Sequence, residues 1–167
     1  MPPVDLEVLG LGSHLRLVRR DGWEYIEHVN GNDSVAAFAT TPAGEAILIE
    51  QFRVPVARTV LELPAGFVEP GETPGEAVVR ELLEETGYPA AGPPELLLQA
   101  PLAAGVDAGE IYLFRVHCDP PVSAGGGVDG EQIRVRLVPL AELTRSTLAG
   151  SEAVDWRIPA AIHLATR

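Results

Sequence analysis

Apolar and polar residues alternate over the first thirty positions, most clearly in Trp23-Glu24-Tyr25-Ile26-Glu27-His28-Val29. That pattern predicts hairpin strands within residues 4–29, with a turn at Asp21-Gly22. Gly31-Asn32-Asp33 interrupts the pattern, and Val35-Ala36-Ala37-Phe38-Ala39 then reads as a buried strand. Pro42-Ala43-Gly44 turns the chain into a second apolar strand, Ala46-Ile47-Leu48-Ile49. Residues 60–63, 96–102, 111–116 and 133–138 are further strand candidates. Helical spacing is confined to residues 74–86, 141–148 and 156–165. Strands dominate with helices between and after them, so an α/β (α+β) fold is expected, a mixed β-sheet packed between α-helices. Residues 1–30 form a small N-terminal strand region ahead of the main domain, residues 31–167. The stretch 119–129, with Pro120-Pro121 and Gly125-Gly126-Gly127, reads as the most flexible loop and the only linker-like piece.

The helix from Pro74 to Thr86 is marked at both ends. Thr73 serves as N-cap, Pro74 suits the first helical position, and Glu76 completes a Thr-x-x-Glu capping box. Gly87 follows as a left-handed stop. Val78, Val79, Leu82, Leu83 and Thr86 share a face that reads as core. Glu81, Glu84 and Glu85 crowd the opposite face, where like charges weaken a helix by about 0.2–0.5 kcal/mol per pair unless a counterion intervenes. Arg80 alone cannot neutralise them. A solvated acidic surface is the ordinary reading of such a face, whereas a magnesium site is the chemical one, since that ion takes one or two carboxylates plus substrate phosphates.

The wider context favours chemistry. From Gly66 the chain reads five residues, Glu72, seven residues, then Arg80-Glu81-Leu82-Leu83-Glu84-Glu85-Thr86-Gly87-Tyr88. This resembles the Nudix box, G-x5-E-x7-R-E-U-x-E-E-x-G-U with U aliphatic, and only Tyr88 departs from it. The resemblance implies a magnesium-dependent (or manganese-dependent) hydrolase of nucleoside diphosphates linked to another group. It implies Glu81 and Glu85 as metal ligands, Glu84 close by, and the carbonyl of Ala65 as a further donor. It also implies that Arg80 orients the glutamates and that Glu72 supports them. Gly66 and Gly71 let the loop bend before the helix.

Flanking residues resemble the ADP-ribose pyrophosphatase branch of that family. Glu62-Leu63-Pro64-Ala65-Gly66 is similar to its E-x-P-A-G, and Glu50-Gln51-Phe52-Arg53 to its R/E-Q-x-R strand. The resemblance runs from about Trp23 to Leu143 and implies hydrolysis of ADP-ribose to AMP and ribose 5-phosphate. Arg53 is then a candidate for the diphosphate or for an interface salt bridge, and Phe67 sits near the substrate. In this branch a glutamate from a late acidic loop helps catalysis, which makes Glu131 the first choice and Asp129 the second. The triple glycine upstream is expected to supply that loop's mobility. The branch also implies a homodimer with swapped N-terminal strands, whose Trp23 and Tyr25 stack on a nucleobase; ordinary sheet packing is the alternative for both. The branch commonly carries Ser-Pro-Gly and then an acidic stretch after the box. Here Ala103-Ala104-Gly105-Val106-Asp107-Ala108-Gly109-Glu110 lacks that proline, and Glu110 falls one place late. FAD, NADH, diadenosine polyphosphates, coenzyme A and free nucleoside triphosphates therefore stay open as substrates, as does an inactive binding module of the same fold.

Charge and cysteine usage narrow the partners. Asp and Glu outnumber Lys and Arg 24 to 12, a net charge of −12, which opposes binding to a polyanionic nucleic acid. The twelve basic residues read as scattered, which argues against a cap or 5′-end hydrolase of RNA. The single cysteine, Cys118, reads as a small buried hydrophobe. No signal segment or membrane-length apolar run appears, so a cytoplasmic protein without membrane or nucleic-acid partners is expected.

Overall fold

A computed structural model describes residues 6–31, 33–127, 132–148 and 153–165. Three strands open the chain, β1 (Glu7–Leu11), β2 (Leu15–Arg20) and β3 (Trp23–His28), and they form an antiparallel sheet of their own. Asp21 and Gly22 join β2 to β3 with φ of 52° and 82°, the two-residue turn whose twist matches a hairpin. On the free edge of β3, the Ile26 amide donates to the Val106 carbonyl (2.9 Å), and the Ala108 amide donates to the Ile26 carbonyl (3.2 Å).

The second sheet has eight strands: β4 (Ser34–Thr40), β5 (Glu45–Arg53), β6 (Arg58–Glu62), β7 (Ala65–Phe67), β8 (Glu95–Pro101), β9 (Glu110–His117), β10 (Ile133–Pro139) and β11 (Ala153–Val154). Its order is β11-β6-β5-β4-β9-β8, with β10 paired to β5 and β7 to β4. The β4–β9 and β6–β11 pairs are parallel and the others antiparallel, so the sheet is mixed. Every residue of β4 is buried, and its run of small side chains, Val35-Ala36-Ala37 and Ala39, lets layers close on both faces.

Helix α1 (Pro74–Thr86) covers one face, where Ala77, Val78 and Leu82 pack with Val35, Ala37, Ile47 and Val116. Helices α2 (Leu140–Leu148) and α3 (Arg157–Ala165) cover the other, where Leu143, Ile158 and Ala161 meet Ala36, Leu48, Leu61 and Leu113. The expected sheet between helices is thus observed. Cys118 is buried as expected, and desolvation pushes its thiol up to about 11, which keeps it protonated at neutral pH. Among the described residues no helix is long and apolar enough to cross a membrane.

The sequence pattern does not disclose β7, only three residues long, or the two-residue β11. Two expectations about residues 119–129 and α1 also need correction. The stretch up to Gly127 is bonded to α1 through Val122, Gly126 and Gly127, so the described part is no free linker. On α1, Leu83 is 38% exposed while Glu85 is only 3% exposed, so the three glutamates do not share one solvated face. The reason is β7: it runs beside α1, and the helix turns its Glu81–Glu85 side toward that strand's backbone.

Candidate active site

Thr73 caps α1 by accepting from the Glu76 amide, and the Glu76 carboxylate accepts in return from the Thr73 amide (2.8 Å). This reciprocal box fixes where the helix begins. It therefore also fixes where Arg80, Glu81, Glu84 and Glu85 emerge. Helix α1 contacts β4 and β7 most extensively, which sets its carboxylates against the chain that leads into it.

Glu85 accepts a hydrogen bond from the Ala65 amide (2.9 Å). The Glu81 carboxylate lies directly against Gly66: a Cβ built on that glycine would fall on its carboxyl carbon and both oxygens. Gly66 is thus required for space rather than for a bend, which corrects the expectation; the bend belongs to Gly71, at φ 90°. Ala65 and Gly66 are held by β4, through Ala36 and Val35. Two hard carboxylates and a neighbouring backbone carbonyl are the donor chemistry that magnesium accepts, and one or two carboxylates suffice for it. Among the described residues no group of three Asp, Glu, His or Cys side chains converges to hold an ion.

Arg80 binds this cluster together. Its guanidinium donates through Nε and Nη2 to the two oxygens of Glu72 (2.9 Å each), and through Nη1 to Glu81 (2.8 Å) and Glu84 (3.4 Å). Nη2 also donates to the Phe67 carbonyl (3.0 Å). The hydrogen bonds it donates to Glu72 raise the Arg80 pKa still further, against the lowering effect of burial. The same bond to Arg80 holds the Glu72 carboxyl below its usual range, helped by the Glu69 amide and opposed by desolvation.

The other candidates fall in several places. Arg53 pairs with Glu62 through Nε (2.7 Å) and again through Nη2. The pair lies on the α1 side of the sheet, because Arg53 and Glu62 alternate in register with Ile47 and Ile49. Arg157 approaches the same Glu62 (3.7 Å), which is 3% exposed. Phe67 is half-exposed, and its ring centre lies 4.4 Å from that of His28. His28 meets Asp107 at 3.4 Å, and this half-buried pair was not visible in the sequence because 79 positions separate the partners. Glu110 opens β9 at the end of the sheet where β4 pairs with Phe67, and its amide donates to Asp33 (3.4 Å). Trp23, 69% exposed, lines a different opening with Arg20, Tyr25 and the segment 104–108, so a single chain does not bring it to the box. Glu131 and Asp129 lie outside the described residues.

The basic residues are not as scattered as they read. Arg58, Arg134 and Arg136 line one opening of about 640 Å³ with Glu50, which pairs with Arg136 (3.1 Å) and Arg134 (3.4 Å). Strand pairing of β10 with β5 causes this, and linear spacing hides it.

The NUDIX domain matches residues 32–157, three-quarters of the chain. This protein belongs to the NUDIX family. An ADP-ribose pyrophosphatase of Bacillus subtilis is 48% identical over 64 residues, 38% of this chain and 35% of its own length. A GDP-mannose pyrophosphatase of Yersinia enterocolitica is 32% identical over 120 residues, 67% of this chain and 62% of its own. The match thus spans about a third of the length of the Bacillus relative. A crystal structure of an ADP compounds hydrolase superposes with a TM-score of 0.79 at 22% identity, covering 97% of this chain and 90% of that one. At that identity the likeness concerns the fold.

The role of Arg80 can be read from acid stability. A carboxylate with a lowered pKa contributes stability that is present above the unfolded value, near 4.5 for Glu72, and is lost as pH falls through the folded value. Urea midpoints of the wild type, measured in chelator from pH 7 to pH 3, should therefore drop below pH 4.5, and Arg80→Met should flatten that drop. Parallel curves for the two proteins would separate Arg80 from Glu72.

Proposed function

We propose that this protein hydrolyses the pyrophosphate bond of a nucleoside diphosphate linked to another group, with ADP-ribose, yielding AMP and ribose 5-phosphate, as the first substrate. The observation that carries this reading is the pair Glu81 and Glu85 held against Ala65 and Gly66 within a box that departs only at Tyr88. Glu81, Glu85 and the Ala65 carbonyl are the oxygen set for magnesium or manganese, and Glu84 is the adjoining acid. When bound, such an ion neutralises charge on the phosphates and activates an attacking water. Arg80 positions Glu81 and Glu84 while its Nη2 donates to the Phe67 carbonyl at the end of β7. Arg53 takes the diphosphate or an interface contact, and its bonds to Glu62 fix the orientation of the guanidinium. Phe67 and Glu110 border the substrate. Glu131 is assigned as general base, with Asp129 and then Glu84 as the alternatives. The similarity to GDP-mannose pyrophosphatases over 120 residues favours a second reading, in which the preferred substrate is another nucleoside diphosphate sugar.

A panel of ADP-ribose, GDP-mannose, FAD, NADH, diadenosine polyphosphate and coenzyme A, assayed with magnesium or manganese, tests both readings. Release of AMP from ADP-ribose is expected with metal and none with chelator, and Glu85→Gln should lower turnover roughly 100-fold or more. The carboxamide oxygen can still accept from the Ala65 amide, so circular dichroism should not change. Full turnover after metal removal would refute the mechanism.

Glu131→Gln should lower kcat by about 10²–10⁴-fold. It should leave KM nearly unchanged, because a base acts mainly in the transition state. Asp129→Asn should do less. Wild-type kcat in both variants and in the double mutant would move the base to Glu84.

The N-terminal sheet is proposed to complete the partner's site in a homodimer, where Trp23 reaches the nucleobase. Exposed Val8, Leu11, Leu15 and Leu17 on that sheet support an apolar contact. Light scattering at micromolar concentration should give a dimer mass; a monomer would remove the role of Trp23.

A further inference from the structure

An α-helix leaves its last four carbonyls without partners inside the helix. In α1 these include the carbonyls of Glu84 and Glu85, the residues whose side chains form the acidic site. The Gly126 amide donates to the Glu85 carbonyl (2.8 Å), the Gly127 amide to the Glu84 carbonyl (3.2 Å), and the Val122 amide to the Gly87 carbonyl (2.9 Å). Gly125, Gly126 and Gly127 have φ of 67°, 118° and 78°, so side chains are disfavoured at each. At Gly125 space is the stronger limit, since a Cβ there would overlap the Glu85 carbonyl and the Thr86 backbone. Gly87 packs against the Ser123 backbone with equal closeness.

We propose that Gly125–Gly127 is a positioning element for the hydrolytic site, which holds the backbone of Glu84 and Glu85 in register with β7. The inference rests on the hydrolase reading and adds residues outside the box to the machinery. Glu85 is held twice, by its side chain on the Ala65 amide and by its carbonyl on the Gly126 amide. Loss of the second hold lets the final turn of α1 shift. Displacements near 1 Å can cost about 100-fold in rate even when they arise away from the reacting atoms.

Gly125→Ala is the test, with Gly92→Ala as control, because Gly92 has no positive φ and open space around it. Three readouts are taken: amide exchange at Gly126 and Gly127, manganese affinity by electron paramagnetic resonance without substrate, and kcat and KM on ADP-ribose. For Gly125→Ala, we expect exchange at both amides to quicken about tenfold or more as the cap opens. Manganese affinity should weaken, and kcat should fall about tenfold or more with KM within twofold. Gly125→Asn should fail equally, because asparagine tolerates the left-handed φ but still carries a Cβ. Rescue by asparagine, or wild-type exchange and manganese affinity in Gly125→Ala, would overturn the proposal. Should Gly125→Ala not fold, Val122→Pro removes one donor of the cap and should give the same three changes in smaller measure; no change there would also overturn it. If the wild type hydrolyses none of the nucleotides, the functional reading fails alone, since exchange and manganese binding still report on the cap.

Discussion

One guanidinium holds the acidic end of this protein together. Glu72, Glu81, Glu84 and Glu85 come from a loop and a single helix, and Arg80 touches the first three while the fourth is turned inward onto a backbone amide. A partly buried carboxylate without such a partner is costly to keep charged. Glu72, Glu81 and Glu84 lie on the arginine, and Glu81 and Glu85 also press against β7, the first at Gly66 and the second on the Ala65 amide. These carboxylates are held in place by the fold itself.

The sheet makes this possible by its choice of small residues. Strand β4 carries alanine on both faces and pairs with β5, β7 and β9, so β7 can sit beside the helix with only a glycine between backbone and carboxylate. Short β7 is anchored by three pairs to β4, and its rigidity passes directly to Glu81 and Glu85. Arg53 and Glu62 extend the polar surface along the same side of the sheet, so charged groups run from the box onto the strands.

Much of this was legible in order of residues. The capping box, the proline at the first turn and the closing glycine placed α1 at Pro74–Thr86, and alternating or continuous apolar runs placed most of the long strands. What stayed hidden has a common cause. Glu85 looked solvent-facing because a glutamate normally is, and only the position of β7 reveals that its carboxylate finds an amide there. Gly125-Gly126-Gly127 looked loose because glycine runs usually are, whereas here the missing side chains admit backbone-to-backbone bonds that leave no trace in residue type. The clustering of Arg58, Arg134 and Arg136 depends on strand pairing between distant segments. Contacts carried by the main chain, or assembled across the sheet, are those that periodicity cannot report.

The capping of α1 by Gly126 and Gly127 also bears on how the chain assembles. The last turn of the helix is completed by residues about forty positions downstream, beyond β8 and β9, so closing it requires a long loop whose entropy must first be met by other contacts. Residues 66–88 taken alone would carry every fixed position of the box and yet lack the donors that meet the Glu84 and Glu85 carbonyls. The motif is contiguous in sequence but its end is not a local structure, because its last carbonyls are met from beyond β9.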